Sequence, residues 1–298
     1  MDRHGTRREL DAAAITALAP VVAVFPVWAL SIFVFWLPVH LVWSVSYPVL
    51  AGGYLLAVVV LFLRPVQVYL LAPLLGARRP RHDEVAVLAP AWRPVLRANA
   101  LPGRRYVLAV LPSGDLNAFA CGGHLVVVTS YAVESLPPDE LSGVLAHELS
   151  HHLGLHTVAL TMTQWLAIPV LVLARIGFFL QNVAAAATSA FASQSPGVTM
   201  LGRGVARVLN AVSWVFLSGL LASNLSANVV GRRAEFRADR RVVEMGFGRH
   251  LAQALRRVVA AGGGGRPTDR WERLTSTHPP ALTRIARIDA LLRAQRSR

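Results

Sequence analysis

Two histidines four residues apart with a glutamate between them, His147-Glu148-Leu149-Ser150-His151, form the segment of this sequence whose residue types and spacing together specify chemistry. The segment lies on a predicted helix. Pro137 and Pro138 suit a first turn, Asp139 and Glu140 suit its positive dipole end, and Leu141, Val144, Leu145 and Leu149 recur at helical spacing. An i, i+4 pair on a helix stacks both imidazoles on one face, where they can reach a single zinc ion. Glu148 lies about 100° around the helix from His147 and about 60° from His151. From there it can take a proton from water at the metal without being a ligand. With 10 His in the chain, chance produces H-E-x-x-H with a probability of roughly one in a hundred. The competing reading, a His-rich amphipathic helix using its imidazoles as polar packing, does not need this pentapeptide.

A catalytic zinc needs a third protein ligand and one open position, and two candidates compete. The longer form H-E-x-x-H-x-x-G-x-x-H has Gly154 in place, but Thr157 stands at its last position and His156 falls one residue short. The other candidate is Glu235, with Asp239 one turn later in Glu235-Phe236-Arg237-Ala238-Asp239. A carboxylate ligand with a second acid on the same helical face, orienting a ligating histidine, would suit zinc. Arg232, Arg233, Arg237, Arg240 and Arg241 surround the pair, so a solvated charged face is the competing reading. His147 and Glu235 can share a metal only if the chain between them crosses a bilayer an even number of times.

The elements that must position these residues belong to a membrane protein. The chain is 54% apolar and only 15% charged, against about 25% charged for a soluble domain. Residues 12–63 hold no Asp, Glu, Lys or Arg, about twice the ~20 residues a helix needs to cross. A first span over Ile15–Trp43 and a second over Tyr47–Leu63 are predicted, with kinks at Pro20, Pro26 and Pro38. The run is too long for a signal-peptide core, so it is expected to stay in the mature protein. Every basic residue is Arg, and the +14 net charge is read as loop composition. No zinc-finger spacing, RNA-binding aromatic signature or basic dimerisation helix points to nucleic acid. Arg3, Arg7 and Arg8 precede the hairpin and Arg64, Arg78, Arg79, Arg81, Arg93 and Arg97 follow it, which puts both flanks on the cytoplasmic side.

Two further uncharged intervals, Leu149–Ala174 and Val208–Gly231, read as a second membrane hairpin, with a loop over Ile176–Gly202. Arg175, Asn210, Asn224 and Asn228 leave an amphipathic hairpin in the interface as the alternative. Between the hairpins, Val85, Val87, Tyr106, Leu108, Val110 and Leu125–Val128 read as short β-type runs. Gly122-Gly123 reads as a two-residue hairpin turn. In the tail, helices are predicted over Ala234–Met245 and His250–Ala261, then a flexible Gly262–Gly265 tract. A last helix is predicted with Leu282, Ile285, Ile288 and Leu292 on one side. The organisation expected is an arm and hairpin over 1–75, a first catalytic part over 76–157, a second hairpin over 158–230 and a second catalytic part over 231–298. Cys121 is the only cysteine, so disulfides play no part. His124, His152, His156 and His250 have no assigned role, with His152 and His156 read as polar packing.

At this point the sequence resembles the HtpX-like membrane zinc metalloproteases, relatives of the CAAX prenyl proteases. The likeness runs through the N-terminal hairpin, Asn117-Ala118-Phe119-Ala120 with the Gly pair, H-E-x-x-H, a second hairpin, Glu235 with Asp239, and His278-Pro279-Pro280. It implies that His147, His151 and Glu235 ligate one zinc per chain, that Glu148 is the general base, and that Asp239 supports the ligands from behind. It also implies that His278 faces the developing oxyanion and Arg284 braces the site. Unaided, His278 reads as a turn residue and Arg284 as solvent-facing. The segment Leu116–Cys121 resembles the family's edge strand along which an extended peptide lies. Cys121 replaces a more usual small residue there and is expected to make the site thiol-sensitive.

The expected fold is therefore α+β, a mostly helical integral membrane protein. Two transmembrane hairpins would carry a gluzincin-type zinc metallopeptidase domain with a small β-sheet. The expected activity is peptide-bond hydrolysis at the cytoplasmic face of the cell membrane, on misfolded or membrane-associated proteins, with protein or peptide substrates and the lipid bilayer as partners. A metallopeptidase-type membrane sensor or receptor is the alternative from another class, weakened by the lack of an appended sensor domain. A non-catalytic zinc-binding scaffold is the other, weakened by the intact Glu148.

Overall fold

The computed structural model describes residues 16–191, 196–262 and 279–297. The described residues divide into two compact units: one of residues 16–18, 59–161, 227–262 and 279–297, the other of residues 19–58, 162–191 and 196–226.

The second unit is helical. It contains α1 (Ala19–Trp43), nearly all of α2 (Tyr47–Val60), α7 (His156–Phe191) from Met162 onward, and α8 (Pro196–Glu244) as far as Ser226. Its core joins Val24, Trp28 and Ile32 of α1 to Leu166, Val170 and Ala174 of α7 and to Phe216 and Leu220 of α8. Apolar lipid gives little drive for helices to associate, so close packing and interhelical hydrogen bonds must do it. A Cβ on Gly177 would fall 2.1 Å from Ser213 Oγ, and one on Gly219 would fall 2.5 Å from Val27. The Tyr54 hydroxyl donates to the Trp165 carbonyl at 2.6 Å, and Ser223 Oγ to the Pro20 carbonyl at 3.0 Å. Three helices among the described residues are long and apolar enough to cross a membrane, and a fourth if α2 and α3 (Arg64–Leu74) count as one broken span.

The structure departs from the sequence expectations at several elements. The second apolar helix stops at Val60 rather than running to Leu63. Leu63 is extended (ψ 133°) as the N-cap of α3, and Pro65 sits in its first turn, where a missing N–H costs nothing. The loop expected over Ile176–Gly202 is largely helix: α7 runs to Phe191 through the alanines at 184–187, and α8 resumes at Pro196. The helix expected over Ala234–Met245 is the end of the 49-residue α8.

The first unit carries the sheet. Strands β1 (Val107–Leu111), β2 (Ala118–Cys121) and β3 (Leu125–Thr129) are ordered β1-β3-β2, with β1 parallel and β2 antiparallel to the central β3. All five residues of β3 are buried, as a strand covered on both faces must be. Val126 and Val128 face a core with Leu141, Leu145 and Leu149 of α6 (Pro138–Leu153), while Leu125 and Val127 face Ala72 of α3 and Phe119. Val85 and Val87 belong to a helix, α4 (His82–Ala98), not to a strand. Glu84 accepts from the Arg81 N–H at 2.6 Å to start it, and Leu88, Ala91, Trp92, Val95 and Leu96 bury a stripe at helical spacing. The β2–β3 connection is three residues, Gly122–His124, because Cys121 pairs with Leu125.

After the short α5 (Ser130–Ser135), helix α6 opens with Pro138, Asp139 and Glu140 in its first turn and ends at Gly154. Helix α9 (Gly248–Ala260) crosses it at Gly143, where a Cβ would meet Leu251 N at 2.3 Å. Gly262 (φ +82) follows α9; the rest of the expected Gly262–Gly265 tract lies outside the described residues. Helix α10 (Ala281–Arg296) turns Ile285 and Ile288 into the core, but Leu282 is 55% exposed. Steps of three residues drift around a 3.6-residue helix, so Leu282, two such steps from the fully buried Ile288, leaves the buried face.

Candidate metal centre

Three helices build the site. Along α6, Leu141, Leu145 and Leu149 fill the core and turn His147, Glu148 and His151 toward the ends of α8 and α10, and all three polar residues are buried. The last turns of α8 bring Glu235 and Asp239 on one face, four residues apart. Helix α10 supplies Arg284, which is buried rather than solvent-facing.

His151 Nε2 lies 3.1 Å from Glu235 Oε1 and 3.2 Å from His147 Nε2, and His147 Nε2 lies 3.3 Å from Glu235 Oε2. These three residues are the group whose ligand atoms converge as a metal site would require. Tetrahedral zinc with ligands at about 2.0–2.1 Å separates neighbouring donors by about 3.3 Å. The donor set, two imidazole nitrogens and a carboxylate that turns Oε1 to one and Oε2 to the other, fits zinc in spacing and in chemistry.

The surroundings orient these donors. Asp239 Oδ1 is 3.1 Å from His147 Nδ1, leaving Nε2 to face Glu235. Arg284 donates to Asp239 through Nη2 at 2.7 Å and Nε at 3.0 Å, and its Nη1 stands 3.1 Å from Glu235 Oε2. Burial and the Arg284 charge both disfavour a charged His147, but Glu235 and the hydrogen bonds of Asp239 and Glu235 outweigh them and push its pKa up to about 9. Burial likewise disfavours the Arg284 charge, and Asp239 and Glu235 restore it, raising its pKa above the usual arginine value.

Of the other described histidines, His156 packs its ring 5.7 Å from that of His151 without joining the ligand group. His152 Nε2 bonds the Leu125 carbonyl at 2.9 Å, its Nδ1 meets Thr157 Oγ1 at 3.2 Å, and burial lowers its pKa to about 4. His152 and Thr157 thus tie α6 to β3, and Glu235 rather than Thr157 or His156 joins the ligand group. His124 bonds the Arg105 carbonyl at 3.0 Å. His278 lies outside the described residues.

Strand β2 forms one edge of the sheet and packs beside α6. The main chain of Asn117 pairs with Thr129, whose N–H donates to the Asn117 carbonyl at 3.0 Å. Since alternate residues of an antiparallel strand bond the same neighbour, Ala118 and Ala120 turn their main-chain groups outward. The side chains of Phe119 and Cys121 pack beneath the sheet. Burial raises the Cys121 thiol pKa and keeps the nucleophilic thiolate scarce.

A buried His-His-Glu group, with a second buried glutamate between the two histidines, beside an edge strand among the described residues and in a chain with membrane-length helices, defines a membrane metalloendopeptidase. The sequence profile described as Peptidase family M48 matches residues 84–292, and the chain belongs to that family. It is 31% identical over 201 residues to a protein named Protease HtpX homolog from Desulfotalea psychrophila, covering 62% of this chain and 67% of that one. It is 30% identical over 201 residues to Protease HtpX from Xanthomonas euvesicatoria pv. vesicatoria, covering 61% of this chain and 65% of that one. The matches thus span about two thirds of these relatives. The crystal structure of S. mikatae Ste24p shares the fold, with a TM-score of 0.51 at 16% identity over 87% of this chain and 61% of that one.

Proposed function

We propose that the protein is a zinc endopeptidase of the cell membrane that cleaves misfolded or membrane-associated proteins on the cytoplasmic side. The observation that carries the zinc assignment is the His147–His151–Glu235 donor group with edges of 3.1–3.3 Å. Zinc there would polarise the attacking water and the scissile carbonyl. Glu148 takes the proton from that water and passes it to the departing amine. Asp239 holds the His147 ring by Nδ1, and Arg284 holds Asp239 and Glu235 against their mutual repulsion. The substrate main chain adds to β2 at Ala118 and Ala120, with Asn117 and Phe119 fixing the strand from its inner edge. The arginines at 64, 78, 79 and 81 and at 232 and 233, flanking the apolar helices, support the cytoplasmic orientation.

Cleavage of casein and of a membrane-protein substrate by purified protein with zinc tests the reading. Glu148→Gln is expected to retain zinc and lose cleavage, and Glu235→Ala to lose stoichiometric zinc. Cleavage by Glu148→Gln at the parent rate would refute the mechanism, and full zinc retention by Glu235→Ala would refute the ligand set.

A further inference from the structure

Three consecutive main-chain N–H groups at the tip of the β2–β3 hairpin are taken by side chains from outside the sheet. Gly122 N–H donates to Thr161 Oγ1 at 3.0 Å, and the N–H groups of Gly123 and His124 both donate to Gln67 Oε1, at 3.3 and 3.0 Å. Gln67 has no exposed surface and opens a π-helical turn, Gln67–Leu71, inside α3. Such turns interrupt the regular hydrogen-bond ladder and occur frequently at functional sites. The Gln67 Nε2 is buried with no hydrogen-bond partner among the described residues. A leucine of similar size would fill the same space without burying an amide, so packing alone does not account for a glutamine here. The fit is tight from the other side as well: Gly122 has φ +61, and a Cβ on it would fall 2.3 Å from Gln67 Nε2.

What these side chains hold is the end of β2. The strand has four residues, and its start is fixed by the Asn117–Thr129 pairing, in which Thr129 Oγ1 also accepts from the Asn117 N–H at 3.1 Å. Gln67 and Thr161 clamp its other end. A displaced tip would carry the outward groups of Ala118 and Ala120 with it, and hydrogen bonds weaken steeply outside their narrow distance range.

We infer that Gln67 and Thr161 are positioning residues that fix the edge strand β2 for an extended peptide substrate, an inference that rests on the reading of β2 as the substrate strand. Neither touches the ligand group, so their loss changes substrate binding and not the chemical step.

The test uses the zinc-loaded full chain in detergent with a fluorogenic peptide. Gln67→Leu and Thr161→Val are compared with the parent and with Thr161→Ser, which keeps the hydroxyl. Zinc content and hydrogen exchange over 118–124 are measured alongside. Gln67→Leu and Thr161→Val are expected to raise KM about tenfold with kcat within twofold. Both should speed exchange over 118–124 at unchanged zinc content, and Thr161→Ser should restore the parent KM. A KM within twofold of the parent in both variants, or a fall in kcat alone, overturns the inference. If Gln67→Leu does not fold, the Thr161→Val and Thr161→Ser pair decides on the same criteria. If the parent itself cleaves nothing, the proposed function fails instead, and the clamp is judged by exchange over 118–124, which parent-like values in the variants would overturn.

Discussion

Replacing Arg284 with methionine removes a buried cation while keeping most of its apolar bulk. The parent guanidinium makes two hydrogen bonds to Asp239, at 2.7 and 3.0 Å, an ion pair with Glu235 at 3.1 Å, and a contact at 3.2 Å with the His147 ring nitrogens. Hydrogen bonds to charged groups contribute about 1.5–3 kcal/mol each, so the two to Asp239 set a gross ceiling of about 6 kcal/mol, to which the Glu235 ion pair adds. Desolvation of an arginine only 7% exposed offsets much of that. The loss on removal has a different origin: Asp239 and Glu235, 1% and 3% exposed, would be left as buried carboxylates without their cation. Breaking a buried pair from one side costs about 3–5 kcal/mol. We expect Arg284→Met to lose that much stability in metal-depleted protein, and less with zinc present, because the added cation compensates the same carboxylates. Metal affinity should fall about 10–100-fold, as it does when groups orienting ligands are removed. Arg284→Lys, a point charge without the planar fork, should fall between. Thermal unfolding in detergent with and without zinc, and competition against a chromophoric chelator, measure both effects. A midpoint equal to the parent's without metal, together with an affinity within threefold, would refute the bracing role.

Two other perturbations test the scaffold. Hydrogen bonds from Arg78 hold Glu84 down to about 2, against burial and with help from the Arg81 N–H. A depressed carboxylate stabilises the fold fully above its unfolded value of 4.5 and loses that contribution as pH falls through about 2. Glu84→Gln should therefore lower stability by about 1–3 kcal/mol at pH 7 and flatten the acid limb of the unfolding profile; an acid limb as steep as the parent's would contradict this. Gly143→Ala places a Cβ 2.3 Å from Leu251 N and 2.7 Å from the His250 carbonyl carbon, main-chain atoms of α9 that no rotamer change can move. A loss of about 1–3 kcal/mol is expected, and an unchanged thermal midpoint would show that α6 and α9 do not cross so closely.

Particular residues show how far the sequence could be read. The membrane helices were legible because an uncharged run registers by composition alone, but their limits were not. Helices α7 and α8 continue through residues 176–191 and 196–202, where small residues suggested a loop. Val85 and Val87 looked like strand by residue type, yet the stripe from Leu88 to Leu96 and the Glu84 cap decided for helix. Gln67 carried no signal beyond being a lone amide among apolar residues, since its partners are main-chain atoms 56 and 57 positions away.

By itself the sequence determined that His147 and His151 share a face with Glu148 beside them, because the relation is set within little more than one helical turn. It also determined that long apolar segments require lipid. Only the tertiary structure decided which acid approaches that pair, and that Arg284 is drawn inside to meet Asp239. Arg284 and His147 are 137 positions apart yet 3.2 Å from contact to contact. No local periodicity spans such a distance; the packing of α9 on α6 and of α10 on α9 sets it, through apolar side chains that carry no chemistry of their own.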